Sequence, residues 1–230
     1  MRLDKYISQA TSLTRSQAKK VISRGKVSGN TETIRNSAYK VSIDEAIYLD
    51  GKAITIRGPR YIMLNKPQDF ICSTVDEQLP SILNLIDVEK REQLFIAGRL
   101  DADTTGLALI TDEGQWSHKI TSPRKKCAKR YRVKLAEPLP ENAIEQFQDG
   151  IQLKSENQPC LPAQLEVLSE TEVLLTIREG KYHQVKRMFA ALGNHVMALH
   201  REKVGQIELD PKLELGEWRY LTDQEVNSIN

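Results

Sequence analysis

The sequence predicts an α+β fold built from a small N-terminal domain and a larger second domain. Segments with strand character are interspersed with few helices and lack the regular βαβ alternation of a doubly wound sheet. Charge is unevenly distributed, because residues 1–60 hold twelve Lys or Arg against five Asp or Glu, whereas the other 170 hold twenty-one against twenty-six. Gly and Pro in residues 57–60 interrupt helix and strand alike. We therefore expect domains at 1–57 and 61–230, joined by a linker at 58–60.

Two short helices are predicted at the N-terminus. Apolar residues recur there at the i, i+3, i+4 and i+7 spacing of one helix face. These residues are Leu3, Tyr6, Ile7 and Ala10. A second helix is expected to begin after Thr14, because Thr14 and Gln17 match a capping box in which each side chain bonds the other's free amide. Gly25 supplies the left-handed residue at which this helix ends.

Short β segments are predicted between residues 26 and 56. They are Val27, 39–41, 47–49 and 53–56, with a turn at Asp50 and Gly51. Basic side chains border the second helix, and a set of Lys and Arg on one surface gives affinity for a polyanion through phosphate contacts. For any single one of them, plain solvation is the alternative. The candidate phosphate contacts in this domain are Arg2, Lys5, Arg15, Lys19, Lys20 and Arg24.

The second domain is predicted to combine several strands with few helices. Periodicity and turn residues indicate its elements. The expected strands are at 61–65, after 107, near 131–133, at 164–167 and at 173–177, and the expected helices are at 141–148 and 183–191. We expect the strands on either side of residues 170–172 to pair, and Gly193 to end the last helix.

The most informative segment is residues 98–107, which read GRLDADTTGL. An arginine and two carboxylates stand in a short polar run that turns abruptly apolar at Leu107, which indicates a functional loop leading into a buried strand. Asp101 and Asp103 together suggest an acid–base pair of the glycosidase kind. An isolated loop aspartate is more often a turn or capping residue, so the loop alone does not assign a role.

The motifs resemble those of a known enzyme family. The N-terminal domain resembles the S4 RNA-binding domain, and the matching residues are 2–7 (RLDKYI), 14–22 (TRSQAKKVI) and 25–27 (GKV). The whole chain resembles the RsuA family of ribosomal small-subunit pseudouridine synthases. Three segments carry that resemblance, and they are GRLD through TTGL to TDEG at 98–114, KRY at 129–131 and EGKYHQVKRM at 179–188. The segment NKPQ at 65–68 also fits the family.

This resemblance implies both a fold and an activity. The implied second domain is built on a mixed, mainly antiparallel sheet with a central cleft. The implied activity isomerises one uridine of 16S rRNA, the single RsuA-type site at uridine 516, by breaking the N-glycosidic bond and rejoining the base through C5. The implied partner is 16S rRNA or a small-subunit assembly intermediate, and no cofactor is needed. The alternatives are a pseudouridine synthase acting on 23S rRNA and a non-catalytic S4-type RNA-binding or ribosome-assembly factor.

The resemblance also assigns catalytic roles. Asp101 is the implied essential group, and attack on the sugar, attack on the base and removal of a sugar proton are its open routes. A carboxylate nucleophile in a site that excludes water needs a nearby cation. Lys186 is the implied cation, with Arg187 as the alternative. Tyr131 is implied to stack on the flipped uracil, and Arg99 is placed to fill the space that the base vacates.

Other polar residues receive weaker assignments. Residues 122–132 hold six basic residues and no acidic one, so we expect an RNA-facing rim there. With Arg99, the expected RNA contacts of the second domain are Lys129, Arg130 and Arg187. Asp103 and Asp112 are expected to be turn or capping residues, and His183 to order the loop before a helix.

Composition and motifs argue against several other classes of protein. No apolar run approaches the roughly eighteen residues of a membrane span, and the N-terminus lacks the apolar core of a signal peptide. Three widely spaced cysteines without a CxxC pair argue against structural zinc and a disulfide framework. No P-loop, dinucleotide-binding fingerprint or metal-ligand spacing is present. We therefore expect a cytoplasmic monomer that needs no metal and does not bind membranes.

Overall fold

The computed structural model describes residues 1–30, 32–42, 44–154 and 156–229. The chain divides into two compact units, Met1–Pro59 and Arg60–Asn230. Arg60, the last residue of the expected linker, belongs to the second unit, because its backbone amide and its guanidinium both bond the Asp112 carboxylate at 2.7 Å. Asp112, expected as a turn or capping residue, thus anchors the start of the second unit.

In its described residues, the first unit packs two helices against three short strands. Its elements are α1 (Leu3–Ala10), α2 (Arg15–Ser23), β1 (Val27–Ser28), β2 (Ile47–Leu49) and β3 (Lys52–Ile54). The strands form an antiparallel sheet in the order β1-β2-β3. The Thr14–Gln17 capping box is present, and Gly25 has a φ of +73°, so the predicted start and end of α2 are confirmed. Leu3, Ile7 and Ile22 are fully buried in the core of this unit.

The prediction of a strand at residues 39–41 is wrong. Within the described residues, only an isolated bridge from Lys40 to Arg2 has β character there. The carbonyl groups of Ser37 and Tyr39 instead accept hydrogen bonds from the backbone amides of Asp4 and Leu3, at 3.2 and 2.8 Å. The first amides of a helix lack partners within the helix, and this segment supplies them instead of extending the sheet.

The second unit is built on one mixed sheet. In its described residues the strands are β4 (Tyr61–Lys66), β5 (Phe95–Ile96), β6 (Thr105–Thr111), β7 (Lys129–Leu135), β8 (Gln164–Ser169), β9 (Glu172–Ile177), β10 (Val196–Val204), β11 (Ile207–Glu208) and β12 (Trp218–Tyr220). Their order is β12-β4-β6-β10-β7-β9-β8, with β5 on β6 and β11 on β10. The β6–β10 pair is parallel, whereas the other pairs are antiparallel. The expected mixed, mainly antiparallel sheet is confirmed.

Helices and loops cover both faces of this sheet. The helices are α3 (Gly114–Thr121), α4 (Ala143–Asp149), α5 (Gln184–Ala191) and α6 (Asp223–Asn227), with 3₁₀ turns at Ile82–Leu85, Arg91–Gln93 and Pro123–Lys125. Leu107 of β6 packs in one core with Trp116 of α3, whereas Ala108 belongs to a second core with Phe147 of α4 and Phe189 of α5. Successive residues of β6 therefore face opposite cores, which explains its unbroken apolar run.

The predicted β8–β9 hairpin and the helix before Gly193 are confirmed, and the helix expected at 141–148 is α4. The helices α3 and α6 were not predicted. No helix in the described part of the chain is long and apolar enough to cross a membrane.

Candidate active site

The loop before β6 is held close to the backbone of β10. Gly106 has a φ of +100°, and a Cβ atom there would lie 2.4 Å from the carbonyl oxygen of Arg201. Only glycine accepts both this conformation and this close approach. The Thr104 amide bonds the Asp101 carbonyl at 3.1 Å, which closes a turn around the two loop carboxylates. The parallel β6–β10 pairing therefore fixes the position of the loop that carries Asp101, directly before β6.

A buried lysine holds this turn through its backbone carbonyl groups. The Lys66 side chain is fully buried, and its ammonium donates to the carbonyl groups of Pro67, Ala102 and Thr104 at 2.9, 3.1 and 2.8 Å. Burial lowers the pKa of Lys66, although nearby acidic groups, among them Asp101, act in the opposite direction. The sequence motif at 65–68 signalled this segment, but no role was predicted for Lys66.

A buried arginine holds both ends of the loop. Arg201 is 1% exposed, and its Nε donates to the Leu107 carbonyl at 2.7 Å. Its Nη2 donates to the Gly98 carbonyl at 3.1 Å. A buried charge must be hydrogen-bonded, and here the partners are the backbone atoms that start and finish the loop. No sequence signal pointed to this residue.

Lys186 of α5 contacts both loop carboxylates. Its Nζ lies 3.3 Å from Asp101 Oδ2 and 2.6 Å from Asp103 Oδ1. Although burial acts against the charge of Lys186, its hydrogen bond to Asp103 and the charges of both aspartates raise its pKa. Likewise, Lys186 lowers the pKa of Asp103 in spite of partial burial. Asp103 is thus more than the turn or capping residue expected from the sequence.

The alternative cation, Arg187, bonds a different part of the unit. Its guanidinium binds the Glu156 carboxylate at 3.1 Å and the carbonyl groups of Lys154 and Tyr182 at 2.7 and 3.1 Å. Consecutive helix residues point about 100° apart, so α5 presents only one of the two to Asp101. Lys186 is the residue that the helix brings to the loop.

His183 lies directly before α5 and also reaches Asp101. Its Nε2 is 3.4 Å from Asp101 Oδ1, and its backbone has the left-handed φ of +46°. It stacks on Tyr182 with ring centroids 3.8 Å apart. The sequence predicted that His183 orders the loop before a helix, but not its contact with Asp101.

A cleft of about 980 Å³ opens beside Asp101. Lys129 and Tyr131 of β7 line it, as do Arg99 and Arg178. Tyr131 is 7% exposed, so its ring forms part of the wall. Lys129 is partly desolvated, which lowers its pKa, and its Nζ donates to the Cys127 carbonyl at 3.0 Å. Arg178 was not among the predicted contacts.

Arg130 does not line this cleft. Side chains alternate along a strand, so Arg130 points to the face opposite Lys129 and Tyr131. It forms ion pairs there with Glu202 at 3.3 Å and Glu208 at 3.8 Å. Arg130 therefore lies away from the cleft beside carboxylates that pair with it, and its expected RNA contact stays a prediction.

The basic residues of the first unit that were expected to contact RNA fall into two groups. Arg2 and Arg15 both pair with the buried carboxylate of Asp4, at 2.9 and 3.2 Å, and so help to fix the fold of the unit. Others are exposed, and no ion pair within the described residues involves them. These are Lys5, Lys19, Lys20 and Arg24.

Comparison with known proteins decides the family. Residues 1–47 match the S4 domain, and residues 60–191 match the family described as RNA pseudouridylate synthase. The chain belongs to the RNA pseudouridylate synthase family. It is therefore an enzyme of the isomerase class, and the family resemblance predicted from the motifs is confirmed. In the part of the chain that the structure describes, no group of three His, Cys, Asp or Glu side chains could hold a metal ion.

Named relatives match this chain over its whole length. The chain is 54% identical to the ribosomal small subunit pseudouridine synthase A of Vibrio cholerae serotype O1 over 229 residues, which cover 100% of this chain and 99% of that protein. It is 50% identical to the protein of the same name from Escherichia coli strain K12, with both chains fully covered. A crystal structure of a pseudouridylate synthase matches with a TM-score of 0.73 and 48% identity, and both chains are fully covered.

Proposed function

We propose that this enzyme converts uridine 516 of 16S rRNA to pseudouridine. The observation that carries the proposal is the Asp101 carboxylate, which lies beside a basic cleft 3.3 Å from the Lys186 ammonium. The small-subunit target is supported by the names of relatives that match the whole chain at 50–54% identity.

The reaction is an isomerisation, so its atoms balance without a co-substrate. The bond from C1′ to N1 of uracil breaks, the base turns, and C1′ bonds to C5, while C5 loses a proton and N1 gains one. Asp101 acts on the sugar or the base as nucleophile, or on the sugar as proton acceptor, and Lys186 provides the counter-charge for its carboxylate. Tyr131 stacks on the extruded uracil, and Arg99 occupies the space that the base leaves.

The rest of the chain holds the RNA. We propose that residues 1–57 act as the S4-type RNA-binding domain through the exposed residues Lys5, Lys19, Lys20 and Arg24. In the catalytic unit, 60–230, Lys129 meets the substrate at the cleft wall. Contacts of this kind fix position and affinity rather than sequence. We place this reaction in the cytoplasm, on 16S rRNA or an assembling small subunit.

The purified enzyme tests this proposal. It is incubated with 16S transcripts, 23S transcripts and small-subunit assembly particles, and pseudouridine is mapped at single-nucleotide resolution. We expect modification at uridine 516 in 16S rRNA, alone or within particles, and none in 23S rRNA. Modification confined to 23S rRNA would favour the large-subunit alternative, and RNA binding without any product would favour the assembly-factor alternative.

A further inference from the structure

Tyr182 is an exposed aromatic ring at the cleft. Its side chain is 73% exposed, whereas Tyr131, which also lines the cleft, is 7% exposed. Proteins that hold single-stranded RNA commonly stack its bases on exposed aromatic rings beside a basic groove. The ring of Tyr182 has the exposure that such a contact needs.

The ring is also held in place without a ligand. It stacks on the imidazole of His183 at 3.8 Å with an interplanar angle of 21°. The Tyr182 carbonyl accepts a hydrogen bond from Arg187 at 3.1 Å, and the Lys181 amide donates to the side chain of Gln184 at 2.9 Å. These bonds fix the backbone on both sides of the ring. A base that stacks there would cost little ordering of the protein.

The ring of Tyr182 lies close to Asp101, through His183. His183 Nε2 is 3.4 Å from Asp101 Oδ1, so Tyr182 lies one aromatic layer beyond a group that contacts the proposed catalytic carboxylate. Arg99 and Arg178 line the same cleft, and no ion pair in the described residues occupies either guanidinium. A phosphodiester strand that places its target at Asp101 therefore finds positive charge and an exposed ring beside it.

We propose that Tyr182, backed by His183, is a stacking platform for the base of a nucleotide adjacent to the target uridine. The inference rests on the proposed function, because it needs a uridine extruded at Asp101. Extrusion removes the stacking partner of both neighbouring bases. The platform replaces that partner for one of them, and so adds affinity for the RNA without taking part in the chemistry.

Abasic substrates test this inference directly. Three synthetic RNAs contain the sequence around the target uridine. The first is unmodified, the second has an abasic nucleotide on the 5′ side of that uridine, and the third has one on the 3′ side. The full chain is compared with Tyr182→Ala, with Tyr182→Trp, and with Tyr220→Ala as a control at an exposed tyrosine outside the cleft. Kd and the single-turnover rate constant at saturating RNA are measured for each combination of protein and RNA.

We expect Tyr182→Ala to raise Kd for normal RNA on the order of tenfold and to leave the single-turnover rate constant unchanged. On one of the two abasic RNAs, Tyr182→Ala and the unaltered chain should bind equally. Tyr182→Trp and Tyr220→Ala should bind normal RNA like the unaltered chain.

Two outcomes would overturn the platform: no change in Kd for Tyr182→Ala, or the same loss on all three RNAs. The second would mean that the ring contacts the target base or only supports His183. Failure of the proposed function is seen separately, as absence of pseudouridine with the unaltered chain.

Discussion

Asp101 and Asp103 share one lysine but have different surroundings. Asp101 also contacts His183 and lines the cleft, whereas the side chain of Asp103 is 67% exposed and binds Lys186 more closely. We therefore propose that Asp101 carries out the chemistry and that Asp103 positions Lys186.

Matched amide substitutions separate these roles. Asp101→Asn removes the nucleophile or base, so product formation should fall by more than about a thousandfold while RNA binding persists. Asp103→Asn leaves Lys186 its contact with Asp101, and the rate should fall less than about tenfold. Single-turnover pseudouridine formation and Kd are measured for both. Equal losses in the two variants would contradict the assignment.

Asp4 makes the stability of the first unit depend on pH. The hydrogen bonds from Arg2 hold the pKa of its buried carboxyl well below its usual range, with Arg15 adding to the effect against burial. A lowered pKa in the folded state means stability that is present above the unfolded value of about 4 and is lost as the pH falls towards the folded value.

Asp4→Asn should lower the free energy of unfolding at pH 7 by about 1 to 2 kcal/mol, since both guanidiniums are partly exposed to solvent. It should also remove most of the stability loss of this unit below pH 4. Hydrogen exchange of the α1 and α2 amides from pH 3 to 7, corrected for intrinsic rates, measures both effects. An unchanged acid dependence would show that Asp4 is not its source.

The parallel contact between β6 and β10 positions the active-site loop. Gly106 allows the two backbones to approach, and Arg201 ties the carbonyl groups of residues 98 and 107 to β10. This contact joins segments more than ninety residues apart in the chain. The geometry at Asp101 therefore depends on tertiary packing rather than on the loop's own sequence.

Gly106→Ala tests this contact. The new Cβ would lie 2.4 Å from a carbonyl oxygen at an unfavourable φ, so unfolding free energy should fall by about 2 to 4 kcal/mol, with a lower rate of catalysis. Gly114→Ala is the control, because a Cβ atom there would meet no distant atom of the described residues within 4 Å and its φ is not in the left-handed region. Calorimetry and single-turnover assays compare the two. Similar melting temperatures for both variants would contradict the proposed packing constraint.

Elements with a local signal could be predicted, and those that depend on distant contacts could not. The capping box at Thr14 and the apolar face before Gly193 gave helices that the structure contains. The helix α3 escaped prediction, because few of its residues are apolar and Trp116 gains its burial from other elements. At the site, motifs pointed to Asp101 and Lys186, whereas the hydrogen bonds of the buried Arg201 side chain reach residues 94 and 103 positions away in the chain.

We propose that the molecule combines an RNA-binding unit with a catalytic unit. The exposed cations of the first unit should each release counterions from bound RNA. Replacing Lys19, Lys20 and Arg24 by Gln should therefore reduce the slope of log affinity against log salt by about 0.7 to 0.9 for each lost phosphate contact. Binding titrations from low to physiological salt measure that slope. An unchanged slope would mean that these residues form only a solvated surface.

The proposed target, uridine 516, and the proposed role of Asp101 can be tested together in cells. Pseudouridine is mapped across 16S and 23S rRNA in cells that lack this chain, and again after they are supplied with the unaltered chain or Asp101→Asn. We expect the pseudouridine signal at uridine 516 to be absent without the chain, to return with the unaltered chain and to stay absent with Asp101→Asn, while 23S rRNA is unaffected. Persistence of that signal without the chain would overturn the proposed target, and its return with Asp101→Asn would overturn the proposed role of Asp101.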